Sequence, residues 1–126
     1  MSLREKHVFQ FTGKQISDAA HLQAAYHDAK RKFWESEYQK AVTEAKAKGV
    51  EIREVPVTGG KRAEMVLDPH LQQRISECMG KIENHQRLRT RYTIEQEAYQ
   101  SQSDRTYDLD PEDLVYFHLS KHPRGE

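Results

Sequence analysis

A single cysteine, Cys78, is the only thiol in this chain of 126 residues, so no disulfide can form within it. A lone thiol fits a reducing compartment. Proline and glycine are also scarce, at four and six, which leaves long stretches without a helix breaker. No apolar run approaches the roughly 20 residues of a membrane span. The N-terminal stretch Met1–Lys14 lacks the apolar centre of a secretory signal. Net charge is missing as well, with 20 Lys and Arg against 20 Asp and Glu. Any attraction to nucleic acid or to an anionic membrane would have to come from a local patch, and little repulsion opposes self-association. These absences point to a cytoplasmic protein with no membrane partner.

Apolar residues make up only 36% of the chain and charged residues 32%. Such a chain can bury a narrow seam more readily than a thick core, which suits long helices or subunits that complete their cores on one another. At this length one domain, residues 1–126, is expected.

The expected fold is mainly α with a small β element: an antiparallel, coiled-coil-like hairpin of long helices, with a β-hairpin at the tip and a short C-terminal helix. His7–Phe11 is short, aromatic and β-prone, and Thr12-Gly13 then breaks it. The first long helix is expected over 17–48, with Ser17 and Asp18 as N-cap candidates and Gly49 at C′. Its apolar stripe is Leu22, Tyr26, Ala29, Phe33, Tyr38, Ala41 or Val42, and Ala45. At 1.5 Å per residue this is a rod of about 45 Å.

Residues 50–67 read as a β-hairpin around Thr58-Gly59-Gly60, and Pro56 implies a free strand edge. Asp68-Pro69 then caps a second helix, 69–101. Its seam runs Leu71, Ile75, Cys78, Ile82, His85, Leu88 or Arg89, Tyr92, Gln96, Tyr99, the cleanest periodicity in the chain. A C-terminal strand and helix are expected over 106–121, the helix opened by Asp110-Pro111. Lys121–Glu126 reads as a frayed tail. If the tip turn centres on Gly59-Gly60, facing residues have numbers summing to about 119. That register sets Ala45 against Ile75, Tyr38 against Ile82, Phe33 against His85 and Tyr26 against Tyr92. Gly80 either makes room for Tyr38 or is a surface glycine. In element order the layout resembles prefoldin-like subunits, which implies assembly through the hairpin.

Motifs for chemistry are sparse. His85 is expected to be a core histidine stacked on Phe33, with a ligand or pH-switch role as the alternatives. His118 and His122 share a helical face but lack a third ligand, so no metal and no cofactor is expected. Thr58-Gly59-Gly60-Lys61 departs from a phosphate loop and reads as a turn. Cys78 reads as a buried, inert thiol, and Asp108, Asp110, Glu112 and Asp113 mostly as cap and first-turn residues. No catalytic residue is expected.

Two functional readings follow. The first is a non-enzymatic oligomeric interaction protein (an adaptor, scaffold or inhibitor), with Trp34, Val42, Met79 and Ile94 off the seams and available to a second copy or a protein partner. The alternative is a protein that binds or sequesters an anionic ligand, nucleotide or nucleic acid, through a basic collar of Lys30, Arg31, Arg87 and Arg91 with Tyr92 beside them. The side chains of Phe9, Phe11, Tyr107, Leu109, Val115 and Phe117 are expected to make a second small core or to dock on another subunit.

Overall fold

The computed structural model describes residues 9–49, 52–57, 60–65 and 69–119. The expected start of the first strand at His7, the Thr58-Gly59 turn, the Asp68 cap, His122 and the tail lie outside these residues. The elements are β1 (Phe9–Thr12), α1 (Gly13–Ala47), β2 (Ile52–Val57), β3 (Gly60–Met65), α2 (Pro69–Gln100), β4 (Thr106–Leu109) and α3 (Pro111–Tyr116). The fold is mainly helical, with two long packed helices, small antiparallel two-stranded sheets and a short C-terminal helix. No described helix is long and apolar enough to cross a membrane.

The chain divides into two compact units. Unit 1 combines residues 1–26 with residues 89–126, and unit 2 is the continuous segment 27–88.

In unit 1, β1 pairs antiparallel with β4, with Phe9 opposite Leu109 and Thr12 opposite Thr106. Helix α1 starts four residues before its expected start at Ser17. The reason is a capping box at Thr12-Gly13-Lys14-Gln15. The Gln15 amide donates to Thr12 Oγ1 (3.1 Å), and the Thr12 amide donates to Gln15 Oε1 (2.8 Å). The next two amides are also satisfied: Gly13 N–H donates to Arg105 O at 2.8 Å and Lys14 N–H to Ser103 O at 3.0 Å. The strand thus ends at Thr12-Gly13, as its sequence implied, and Gly13 starts the helix. A Cβ on it would lie 2.3 Å from Gln102 O and 2.7 Å from Tyr99 O, so only glycine fits against the end of α2.

Ser17 is not a cap. It is buried, and its hydroxyl donates to Gln96 O at 3.0 Å. The core of unit 1 is Ile16, Ala19, Ala20, Ala24, Tyr92, Leu109, Leu114, Phe117 and Leu119, with Phe9, Phe11, Tyr99 and Tyr107 packed on it. The expected aromatic core is thus present, except that Val115 is exposed.

Helix α3 is shorter than expected. Asp110 caps it in a reciprocal box with Asp113, as its sequence implied. It stops because His118 takes a left-handed φ of 59°. Leu119 N–H then donates to Leu114 O (2.7 Å) and His118 N–H to Val115 O (3.1 Å), a Schellman closure with leucines in contact across it.

In unit 2, α1 ends at Ala47, and Gly49 follows at φ 75°, the expected C′ glycine. Strand β2 pairs with β3, with Ile52 opposite Met65 and Val57 opposite Gly60. Among the described residues Ala41 and Ile75 pack together with Tyr38, Val42 and Met79 against them, and Ala45, Leu71 and Cys78 are buried too. Gly80 is exposed and a Cβ there would meet nothing within 4 Å, so it makes no room for Tyr38.

The helices pair antiparallel within unit 2, since Glu44 meets Arg74 and His27 meets His85. Near β2 and β3 the expected register holds to about one residue. Further along it slips: His85 meets His27 and not Phe33. The slip follows from which stripe of α1 is buried. Leu22, Tyr26 and Phe33, expected on the seam, are 66%, 51% and 51% exposed. Ala20 and Ala24 are buried in place of the first of these, while Ala41 and Ala45 are buried as expected. Small side chains let two helix backbones approach closely, and the large ones on the other stripe are left in water.

Candidate functional site

Unit 1 carries the best-formed concavity among the described residues. Its volume is about 360 Å³, at the lower end of the range typical of small-ligand or side-chain pockets. Each wall follows from a local feature already described. The capping box sets the start of α1, so that Ala19 and Leu22 face the groove from one side. The strand pair β1–β4 supplies Phe11. The Schellman closure after α3 folds Phe117 and Leu119 against the opposite side. Polar groups border this apolar lining: Gln15, Asp18, Gln23 and His118. Asp18 is paired with Lys14 at 2.9 Å. The groove thus offers a greasy floor, a few amides and one carboxylate, and Leu22 stands largely in water beside it.

A ring cluster stiffens unit 1. Tyr116 stacks on Tyr92 with centroids 4.7 Å apart and meets Phe117 edge-on at 4.8 Å. Tyr92 Oη donates to Tyr116 O at 2.6 Å, and the Tyr116 hydroxyl donates to Glu95 Oε1. Burial, and then the Glu95 carboxylate, push the Tyr116 phenol far above its ordinary range. A phenol so held is a structural donor and not an acid at any physiological pH.

The collar residues belong to different units. In unit 1, the Arg91 guanidinium lies 4.8 Å from the Tyr116 ring centroid, and Tyr92 is buried in the core. In unit 2, Arg31 is gripped by Asp28 at 2.9 Å and Glu35 at 2.8 Å, and its Nε is buried with no partner. The Arg31 and Lys32 cations hold the Asp28 carboxyl below its usual range. Arg87 donates to Asn84 Oδ1 at 2.8 Å. Lys30 Nζ lies 5.9 Å from the Phe33 centroid.

The residues expected at an oligomer interface also divide. In unit 2, Val42 and Met79 are half-buried against Ala41 and Ile75. Trp34 is half-buried, edge-on to Phe33 at 5.2 Å, with Lys81 Nζ at 5.8 Å from its ring. In unit 1, Ile94 is exposed.

The sequence reading missed the pairing of His27 with His85, whose Nδ1 atoms are 2.8 Å apart. It had set Phe33, not His27, against His85. Cys78 is buried, and that burial pushes its thiol up. Among the described residues, no three His, Cys, Asp or Glu side chains are grouped as a metal site would require. The chain matches no protein-family model, no curated protein and no solved structure. The likeness to prefoldin-like subunits therefore remains one of element order alone.

Proposed function

We propose that this chain is a non-enzymatic interaction protein that works as an oligomer in the cytoplasm, with its recognition surface in unit 1. One observation carries the reading: Leu22, which lines the apolar groove floored by Phe117 and Leu119, is 66% exposed, and Tyr26, one turn further along α1, is 51% exposed. Large apolar side chains clustered at a concavity mark surfaces that bind other proteins. Ile94 and Val115, also in unit 1, add to the apolar area left in water. The balanced charge favours the same reading, because two copies meet without net repulsion. The basic side chains support an anion-binding role less well, since Arg31 already holds two carboxylates.

Light scattering at micromolar concentration tests the proposal. The wild-type chain is expected to exceed the mass of one copy. Leu22→Asp is expected to return it to that mass with unchanged helical circular dichroism. A wild-type chain that runs as a monomer would refute self-association.

A further inference from the structure

We propose that His27 and His85 share one proton as a link between α1 and α2 within unit 2, and that protonation of both rings breaks this link and loosens the helix pair in acid. The Nδ1 atoms lie 2.8 Å apart and the ring centroids 5.1 Å, with the rings tilted by 34°. Both side chains are half-buried. At this separation one Nδ1 carries a hydrogen and the other offers a lone pair.

Two charge states satisfy that geometry. Two neutral rings do so as opposite tautomers. One imidazolium and one imidazole do so too, with the extra proton on the outer Nε2 of the donor ring. Two imidazolium rings cannot, because both Nδ1 atoms would then be donors carrying like charges.

The surroundings work against the second proton. Burial first, then Lys30 from α1 and Lys81 from α2, lower the proton affinity of His85. The Asp28 carboxylate, next to His27 in the chain, is engaged by Arg31 at 2.9 Å and Lys32 at 3.3 Å.

The sign of the pH effect follows. In the unfolded chain each histidine takes up its proton near its ordinary pKa of about 6.5. The folded pair resists the second one. Below about pH 6.5 the unfolded state thus binds more protons, and stability falls as pH falls. The contribution is fully present above that value. Exclusion of one proton lowers the folding equilibrium constant about tenfold at pH 5.5 relative to neutral pH.

Imidazole nitrogen NMR of the intact wild-type chain at pH 7.5 reads the link directly. One protonated and one bare Nδ1, coupled to each other, is the expected result. Two bare Nδ1 atoms on rings that titrate independently near 6.5 would overturn the proposal. Urea unfolding at pH 7.5 and 5.5 gives the energetic reading. The wild type is expected to lose about tenfold more in its folding constant than His27→Leu/His85→Leu, and equal losses would overturn the proposal. His85→Gln keeps a donor and an acceptor without titrating, and it too is expected to lose less in acid than the wild type. If the leucine pair does not fold, the nitrogen spectrum of the wild type decides.

Discussion

Unit 1 and unit 2 are built on the same two helices, yet they are held together differently. Unit 1 buries a cluster that includes Ile16, Tyr92, Leu109, Leu114, Phe117 and Leu119, with further rings packed around it. Among its described residues unit 2 buries Ala41, Ala45, Leu71, Ile75 and Cys78, and adds polar links such as Glu44–Arg74 and His27–His85. Two helices facing one another cover one stripe each, and that is all unit 2 has among its described side chains. In unit 1 the short elements β1, β4 and α3 close over the helix pair and turn a seam into a core. Among the described residues these short elements and the closure after α3 supply four of the buried side chains of unit 1: Leu109, Leu114, Phe117 and Leu119.

The largest expected effect comes from emptying each core in turn. Phe117→Ala in unit 1 should cost about 4 kcal/mol, and Ile75→Ala in unit 2 about 2–3 kcal/mol, because the thinner site relaxes more easily. Urea unfolding of both variants measures this, and equal costs would break the contrast. Gly13→Ala comes next, at about 2–3 kcal/mol, because its Cβ would meet backbone that cannot swing aside. Amide hydrogen exchange should show the loss in β1, β4 and the start of α1 and leave residues 69–88 protected; uniform loss would mean that the two units unfold together. The smallest effect is a gain. His118→Gly should stabilise unit 1 by about 1 kcal/mol, since glycine takes the left-handed conformation without strain. A melting temperature that does not rise would show that the histidine ring holds the turn itself.

Much of the fold was legible before the coordinates. The period of Leu71, Ile75 and Cys78 identified α2, and all three are buried. Asp110-Pro111 announced the start of α3, and Gly49 the end of α1. Two features were not legible, for physical reasons. Hydrophobic weighting favours Leu22, Tyr26 and Phe33 over alanine, whereas helix approach favours alanine, so the first half of the α1 seam was misassigned while Ala41 and Ala45 were placed on it correctly. The start of α1 at Gly13 and not at Ser17 was not legible because the role of Gly13 depends on carbonyls of Tyr99 and Gln102, far away in the chain. The signal that could have corrected this was local: a threonine followed three residues later by a glutamine. Of the candidate site, Phe11 and Phe117 were anticipated as neighbours. The groove was not, because it depends on Leu22 facing outward.

The amides of Gly13 and Lys14, bonded to carbonyls of residues 105 and 103, carry a kinetic consequence. Closing those contacts brings together segments separated by some ninety positions, while every contact within residues 27–88 is made by chain already in hand. During vectorial synthesis unit 2 has all its residues before Arg89 is added. Unit 1 must wait for the last strand and helix to emerge. Its loop-closure entropy falls due only at the end, which makes it the slow, high-contact-order half of the protein. Until then Ile16 and Ala20 are held in a nascent chain without the partners that bury them.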